Sequence, residues 1–190
     1  VGVDNEIAAL IPLAGTLALT DKQREILYAP IDEDEIEIRP DGMVYLPWTG
    51  YVLRMREAFG GGWAMIPKGL PYGRGNLTLW AFWLVVGGRP MGFAVGEQSN
   101  NSPGMTAGDQ FEGAKSNARM RLCKDMGIGL ELWSPAFIKR WKAKYAESYE
   151  EYNSYKQKKE TKWRKRDSDA PPVNQPVAPP VGYKSSPTEP

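Results

Sequence analysis

The sequence has no histidine among its 190 residues and only one cysteine, Cys123. Without histidine, the chain has no Ser-His triad, no imidazole general base and no histidine metal ligand. A single cysteine forms no disulfide within the chain, which is typical of proteins from reducing compartments. Any catalysis would therefore depend on carboxylates, lysine, serine or tyrosine.

Long apolar runs and nucleotide-binding motifs are also missing. The longest apolar run, Ile7 to Leu19, is interrupted by Pro12 and Gly15 and is too short to cross a bilayer. No GxxxxGKS or GxxxxGKT phosphate loop occurs, and the glycine-rich pieces lack the strand-to-helix pattern of a dinucleotide site. The sequence predicts no membrane partner, no cofactor and no ATP-driven motor.

The sequence does contain a local excess of positive charge. Residues 111–166 carry 15 Lys and Arg against 7 Asp and Glu, whereas residues 1–110 carry 8 against 13. The net charge of +1 for the whole chain hides this asymmetry. A concentrated basic region predicts a polyanionic partner.

The basic region begins with two predicted helices that meet at a glycine turn. The apolar residues that recur at helical spacing in the first helix are Phe111, Ala114, Ala118, Leu122 and Met126. Gly127 favours the end of that helix. Ser134 and Pro135 have the form of an N-cap followed by proline at the first position of a second helix.

Both predicted helices carry basic residues. Lys115 and Arg119 share one side of the first helix, and Arg121 and Lys124 share another. The second helix mixes cations with aromatic rings, as surfaces that bind single-stranded nucleic acid do. Its residues of this kind are Lys139, Arg140, Lys142, Lys144, Phe137, Trp141 and Tyr145. A solvated basic face is the alternative interpretation, and tryptophans such as Trp141 are also common in cores and interfaces.

Upstream of the basic region the pattern changes to strands. Short apolar stretches predict strands at Trp63 to Ile66, Leu77 to Val86 and Met91 to Glu97. The segment Pro67 to Asn76 is rich in glycine and proline and predicts a flexible loop. Both faces of the second strand are apolar, so we expect another subunit or a ligand to cover part of this surface.

Three further elements are predicted near the start of the chain. Thr20 and Gln23 form a capping-box pattern that predicts a helix from Asp21 to Tyr28. A short strand is expected at Met43 to Leu46 and a helix at Thr49 to Phe59.

The predicted organisation has four parts. Residues 1–19 form an N-terminal arm, residues 20–145 the core domain and residues 146–166 a basic helical extension. Residues 167–190 contain seven prolines, which predicts a disordered tail that serves as a linker or docks a partner. The acidic run at residues 32–37 is either a solvated loop or a surface that attracts the basic patch of another subunit.

Two other classes of function are considered. Glu97, Asp109 and Glu112, with Lys115, have the composition of a metal-dependent nuclease site. The spacing from Glu112 to Lys115 is one residue longer than the usual nuclease pattern, and carboxylates at a helix start commonly stabilise the helix dipole instead. The other class is an interaction module that docks an acidic partner through its basic helix.

The chain also resembles a known family. The residues that carry the resemblance are Ile38-Arg39-Pro40-Asp41-Gly42, Tyr45-Leu46-Pro47, Gly96-Glu97-Gln98, Glu112-Gly113-Ala114-Lys115-Ser116-Asn117-Ala118, Cys123-Lys124-Asp125-Met126-Gly127-Ile128, Glu131-Leu132-Trp133 and Phe137-Ile138. From about Leu19 to Tyr145, the chain resembles the mitochondrial genome maintenance (Mgm-type) recombination proteins. These belong to the Rad-fifty-two-like superfamily of single-strand annealing proteins.

The resemblance implies an α+β fold with a β-β-β-α core, in which an antiparallel sheet packs on a helix and many subunits assemble into a closed ring. It implies binding of single-stranded DNA in a basic groove and ATP-independent annealing to a complementary strand. It further implies recombination and repair of DNA in the mitochondrial matrix or nucleoid. A phage or bacterial annealing protein is the nearest alternative with the same fold.

The resemblance also guides the choice of site residues. By position, Arg121 and Lys124 match basic residues of the wider family's DNA-binding helix, whereas Met120 and Gly50 stand where that family carries basic residues. The predicted DNA-binding residues are Lys115, Arg119, Arg121, Lys124, Lys139, Arg140, Lys142, Lys144, Arg54, Trp141 and Tyr145. No catalytic or metal-binding residue is predicted.

Overall fold

The computed structural model describes residue 9 and residues 11–100, 104–154 and 156–166. Its longer α-helices are α1 (Asp21–Tyr28), α2 (Trp48–Phe59), α3 (Ala107–Asp125) and α4 (Pro135–Tyr145). Short 3-10 helices lie at Ile11–Leu13, Glu33–Glu35 and Leu130–Trp133. Its strands are β1 (Glu37–Ile38), β2 (Val44–Tyr45), β3 (Trp63–Arg74), β4 (Leu77–Val86), β5 (Arg89–Ser99), β6 (Ala146–Asn153) and β7 (Lys158–Lys165). This part of the chain is therefore α+β, as predicted.

The strands form three antiparallel sheets, with the orders β1-β2, β3-β4-β5 and β6-β7. In the central sheet, Trp83 of β4 lies opposite Ile66 of β3 and Phe93 of β5. Helix α3 follows β5 and packs against both β5 and β4. The predicted β-β-β-α succession is confirmed.

The apolar stripe of α3 rests on the central sheet. Ala114, Ala118 and Leu122 are buried as predicted, whereas Phe111 at the start of the helix is 37% exposed. Beneath the helix, β5 presents Gly96, which has no side chain to hold the two backbones apart. The helix and the strand therefore approach each other closely.

The two faces of β4 have different surroundings. Phe82, Leu84 and Val86 are buried in the core, while Trp83 and Val85 on the opposite face are half-buried. The opposite face is apolar, as the sequence indicates. That another subunit or a ligand covers it stays a prediction.

The predicted loop at Pro67 to Asn76 is wrong, because β3 continues to Arg74. The strand pairs with β4 along this length, with an irregularity in register between Lys68 and Tyr72. In the described sheet β3 is an edge strand. An edge strand tolerates proline, which lacks an N–H group, and glycine marks the irregularity.

The predicted helical extension at residues 146–166 is also wrong, because α4 ends at Tyr145 and a β-hairpin follows. In this hairpin, Glu147 of β6 lies opposite Arg164 of β7, and their side chains pair at 2.6 Å. Opposite charges across antiparallel strands stabilise such a pair, and tyrosine has a high propensity for strands. Tyr149 and Tyr152 lie three residues apart, a spacing that fits a helix, so the segment carries no clear local signal of a strand.

The other predicted elements are confirmed close to their expected bounds. The capping box of Thr20 and Gln23 is present at α1, and α2 begins at Trp48, one residue earlier than expected. The tail at residues 167–190 and part of the arm at residues 1–19 lie outside the described residues. Among the described helices, none is long and apolar enough to cross a membrane.

Candidate nucleic-acid interface

Two predicted cations of α3 already have acidic partners. The Arg121 guanidinium lies 3.1 Å from the Glu97 carboxylate on β5, and the Lys115 ammonium lies 3.1 Å from that of Glu112. All four side chains reach solvent, with 35–70% of each exposed, so these ion pairs are weak and open to competition by phosphate. The two residues can contribute to an interface only by exchanging these partners.

The other two cations of α3 lie over indole rings. The Arg119 guanidinium is 5.1 Å from the ring centre of Trp48, and the Lys124 ammonium is 4.7 Å from that of Trp133. Trp48 and Trp133 are 52% and 53% exposed. Each pair therefore places a positive charge beside an accessible aromatic surface, which is the combination that bases and phosphates require.

The basic residues of α4 divide into two groups. Arg140 and Lys144 lie toward the acidic run, where the Lys144 ammonium is 2.9 Å from the Glu33 carboxylate. Hydrogen bonds with Tyr145 and Glu33 raise the pKa of Lys144, and those with Lys144 and Tyr145 lower the pKa of Glu33. The acidic run thus contacts a basic helix of its own chain.

Lys139 and Lys142 form the second group and face the β6–β7 hairpin. Together with that hairpin they border an open cleft of about 550 Å³, hereafter the basic cleft. It is lined by Lys139, Lys142, Ala143, Ala146, Glu147, Ser148, Trp163 and Arg166.

The charge in the basic cleft is almost entirely positive. Within the described residues, Lys139, Lys142 and Arg166 make no ion pair, whereas Glu147, the one acidic residue of the lining, pairs with Arg164. The Lys142 ammonium lies 4.7 Å from the ring centre of Trp163. Three cations and an indole therefore meet in one concave surface.

Trp163 is held in place by the turn that precedes β2. Its backbone N–H donates to the carbonyl of Pro40 at 3.0 Å, and its ring lies against Gly42. Sequence reasoning missed Trp163 and Arg166 as site residues, because their segment was interpreted as a helix. Trp163 is the only apolar residue between Lys156 and Arg166, so no apolar alternation marks this segment as a strand.

Two predicted site residues have structural roles. Trp141 is 1% exposed, and its indole N–H donates to the backbone carbonyl of Glu33 at 3.1 Å. The Arg54 guanidinium donates to backbone carbonyls at the end of α1, including that of Ala29 at 2.6 Å. Tyr145 is half-buried, with its ring centre 5.5 Å from that of Trp141. The prediction that Trp141 stacks on a base is wrong for this conformation.

The carboxylates of the nuclease alternative do not form a group. Glu97 pairs with Arg121, Glu112 pairs with Lys115, and Asp109 accepts hydrogen bonds from Thr106 as part of the α3 cap. In the part of the chain that the structure describes, no three His, Cys, Asp or Glu residues are placed to hold a metal ion.

Cys123 offers no alternative nucleophile. The thiol is buried, and its burial raises its pKa to about 12. A buried thiol with such a pKa is inert at neutral pH.

The fold and these surfaces define an α+β protein with a cationic, aromatic-lined face suited to a polyanion. The family model "Mitochondrial genome maintenance MGM101" matches residues 13–176. The chain belongs to this family, and the resemblance noted in the sequence is confirmed.

Relatives in fungi and in an amoeba show the same affiliation. The chain is 44% identical over 138 residues to the mitochondrial genome maintenance protein MGM101 of Candida albicans, covering 71% of this chain and 50% of that protein. It is 39% identical over 158 residues to the Kluyveromyces lactis protein of the same name, covering 82% of this chain and 59% of that protein. A mitochondrial genome maintenance protein mgm101 homolog of Dictyostelium discoideum is 42% identical over 124 residues, covering 64% of this chain and 33% of that protein. The chain thus spans about half the length of the fungal relatives.

Proposed function

We propose that this protein binds single-stranded DNA and anneals it to a complementary strand without ATP, and that it thereby serves the maintenance and repair of mitochondrial DNA. The observation that carries the proposal is the basic cleft. There Lys139, Lys142 and Arg166 have no acidic partner among the described residues and lie beside the ring of Trp163.

The chemistry of single-stranded DNA fits this cleft. Its phosphates bind Lys and Arg with release of counterions, and its unpaired bases have faces that stack on aromatic rings. Neither contact reads a particular sequence, so the bases stay available to a complement. Base pairing then supplies the free energy of annealing, and no nucleotide hydrolysis is needed.

Association into a closed ring is part of the proposal. Its support in the chain is the half-covered face of the central sheet, where Ile66 is 48% and Phe93 43% exposed on either side of Trp83. Contiguous apolar surface of this kind is typical of subunit contacts.

The proposed location is the mitochondrial matrix, in the nucleoid. The support comes from the names of the relatives, which are mitochondrial genome maintenance proteins. These names favour a mitochondrial over a phage or bacterial annealing protein.

The direct test mixes complementary labelled oligonucleotides with the protein in the absence of ATP and divalent metal. We expect duplex formation to accelerate, and binding to weaken steeply with salt. No acceleration would overturn the annealing proposal. Shortening of the strands in a parallel reaction that contains divalent metal would favour the nuclease. Native mass measurement tests the ring, which a monomer at micromolar concentration contradicts.

Variants test the basic cleft. Lys139→Gln with Lys142→Gln removes two phosphate contacts, so we expect weaker binding of single strands and a salt slope reduced by about 2. Lys22→Gln with Arg56→Gln removes the same charge from exposed positions of α1 and α2 and serves as the control. Equal effects of the two double variants would show that net charge, not the cleft, determines binding.

A further inference from the structure

Trp48 and Arg119 form a pair between α2 and α3 that shares no residue with the basic cleft. The guanidinium carbon of Arg119 lies 5.1 Å from the centre of the indole. Trp48 is nevertheless 52% exposed, so much of its side chain is accessible to a ligand. An accessible indole on a rigid helix is a suitable platform for stacking.

Arg119 has an unmet hydrogen-bonding capacity. Its Nε is buried and has no hydrogen-bond partner, and across the described residues it is the single buried side-chain nitrogen or oxygen in that state. Burial lowers the pKa of Arg119. Among the described residues, no carboxylate forms an ion pair with it. The free-energy cost of a buried donor without a partner is at least as large as the stabilisation from the cation–π contact. The pair of Trp48 and Arg119 therefore adds little to the stability of the fold.

The charges around the pair favour an anion. Glu112 is the carboxylate that acts on Arg119, and it is already paired with Lys115 at 3.1 Å. The first turn of α2, which begins with Trp48, contains no acidic residue. The N-cap residue, Pro47, makes no side-chain hydrogen bond to this helix end. Among the described residues, no carboxylate forms an ion pair with the Arg119 guanidinium, and Glu112 acts on it only at longer range.

The pair of Lys124 and Trp133 is similar but less suited to this role. A lysine ammonium is a compact charge, whereas the planar guanidinium of Arg119 can stack on a ring and donate two parallel hydrogen bonds to a phosphate. Lys124 also has no buried donor without a partner.

We infer that Trp48 and Arg119 bind one nucleotide of a single-stranded nucleic acid, whose base stacks on the exposed indole surface while its phosphate accepts hydrogen bonds from the guanidinium. This inference rests on the proposed function and adds a defined nucleotide site to it. The site makes contact with both the base and the backbone, unlike a contact with phosphate alone.

The test compares two ligands, a labelled oligothymidine and an oligomer of the same length with an abasic sugar-phosphate backbone. We expect Trp48→Leu to weaken binding of oligothymidine by about 5- to 150-fold, the range for loss of one stacked base, and to leave binding of the abasic oligomer unchanged. Trp48→Tyr should retain most of the affinity, because it keeps an aromatic face. An equal loss on both ligands, or no loss on either, would overturn the inference.

Arg119→Gln should weaken binding of both ligands, because both contain the phosphate, and should reduce the salt slope by about 1. Leu53→Ala is the matched control for α2, since Leu53 is 62% exposed and lies on the same helix. We expect this variant to bind both ligands like the wild-type protein.

A measurement on the wild-type chain guards against variants that fail to fold. In protein labelled with fluorotryptophan, the fluorine resonance of Trp48, assigned from its absence in Trp48→Tyr, should shift when oligothymidine is added. If oligothymidine binds but this resonance does not move, the nucleotide site is wrong and the proposed function stands. If the wild-type protein does not bind oligothymidine at all, the proposed function itself fails.

Discussion

The position that a Cβ atom would take at Gly96 lies 1.8 Å from the backbone carbonyl oxygen of Ala114 and 2.7 Å from the backbone nitrogen of Ala118. Helix α3 therefore rests on β5 with no side chain between them. Because the neighbouring atoms belong to the helix backbone, a side chain at this position can be accommodated only by moving the helix.

Gly96→Ala should destabilise the fold through this contact. We expect the free energy of unfolding to fall by about 1–3 kcal/mol or more, as for other overpacked cores. Urea unfolding followed by circular dichroism measures the change. Gly73→Ala is the control, because Gly73 lies on β3 with no atom within 4 Å of its Cβ position. That variant should be neutral or more stable by up to about 1 kcal/mol, and equal losses for the two would contradict the interpretation.

Gly42→Ala should weaken the attachment of the β6–β7 hairpin. Gly42 has a φ of +86°, and its Cβ position lies 2.9 Å from Cδ1 of Trp163. We expect a loss of about 1–3 kcal/mol from backbone strain together with the clash. Gly75→Ala separates the two causes, since Gly75 has a φ of +60° but nothing within 4 Å. If both variants lose the same stability in thermal unfolding, the contact with Trp163 contributes nothing.

The cap of α3 makes the stability of the fold depend on pH. Hydrogen bonds from Thr106 hold the pKa of the Asp109 carboxyl below its ordinary value of 3.8. The resulting stabilisation is fully present above the unfolded-state pKa and is lost as the pH falls through the lower pKa of the folded state. Asp109→Asn should therefore flatten the dependence of the unfolding free energy on pH below about pH 4, as measured by urea unfolding at a series of pH values.

Glu57→Gln is the control for this titration. Glu57 is an exposed carboxylate on α2, and within the described residues it makes no hydrogen bond or ion pair. If the unfolding free energy falls as steeply at acidic pH in Asp109→Asn as in Glu57→Gln, the cap of α3 does not cause the pH dependence.

The acidic run should compete with DNA for α4. Glu33→Gln removes the partner of Lys144 and leaves that ammonium available to phosphate. We expect single-strand affinity to rise by about 2- to 5-fold at low salt, as for loss of an exposed ion pair, with a steeper salt slope. Fluorescence anisotropy with a labelled oligonucleotide measures both. Glu25→Gln on α1 changes the net charge equally, so an identical gain in that variant would exclude local competition.

Much of the fold could be predicted from the sequence, because local signals agreed with the tertiary structure. The stripe of Ala114, Ala118 and Leu122 predicted the buried side of α3, and Ser134-Pro135 marked the start of α4. Predictions failed where local spacing favoured the wrong element, or where sheet position decided the outcome. Tyr149 and Tyr152 of β6 have helical spacing, and the glycines and prolines of β3 are tolerated because that strand lies at an edge.

The candidate interface was predicted less well than the fold, because charge alone does not show which cations already have partners. Lys144 and Lys142 lie two residues apart on α4, yet one is held by Glu33 and the other borders the basic cleft. The partner of Lys144 is 111 residues away in the chain. Such distant pairings depend on tertiary structure and leave no local signal.

The contact of Trp163 with the turn at Pro40 and Gly42 bears on how the chain can be divided for expression. A fragment that stops at Tyr145, where the last described helix ends, keeps the central sheet but removes one wall of the basic cleft and uncovers the turn. A fragment that continues through Arg166 retains both. DNA binding and stability can therefore be compared on the same folded unit in the second fragment but not in the first.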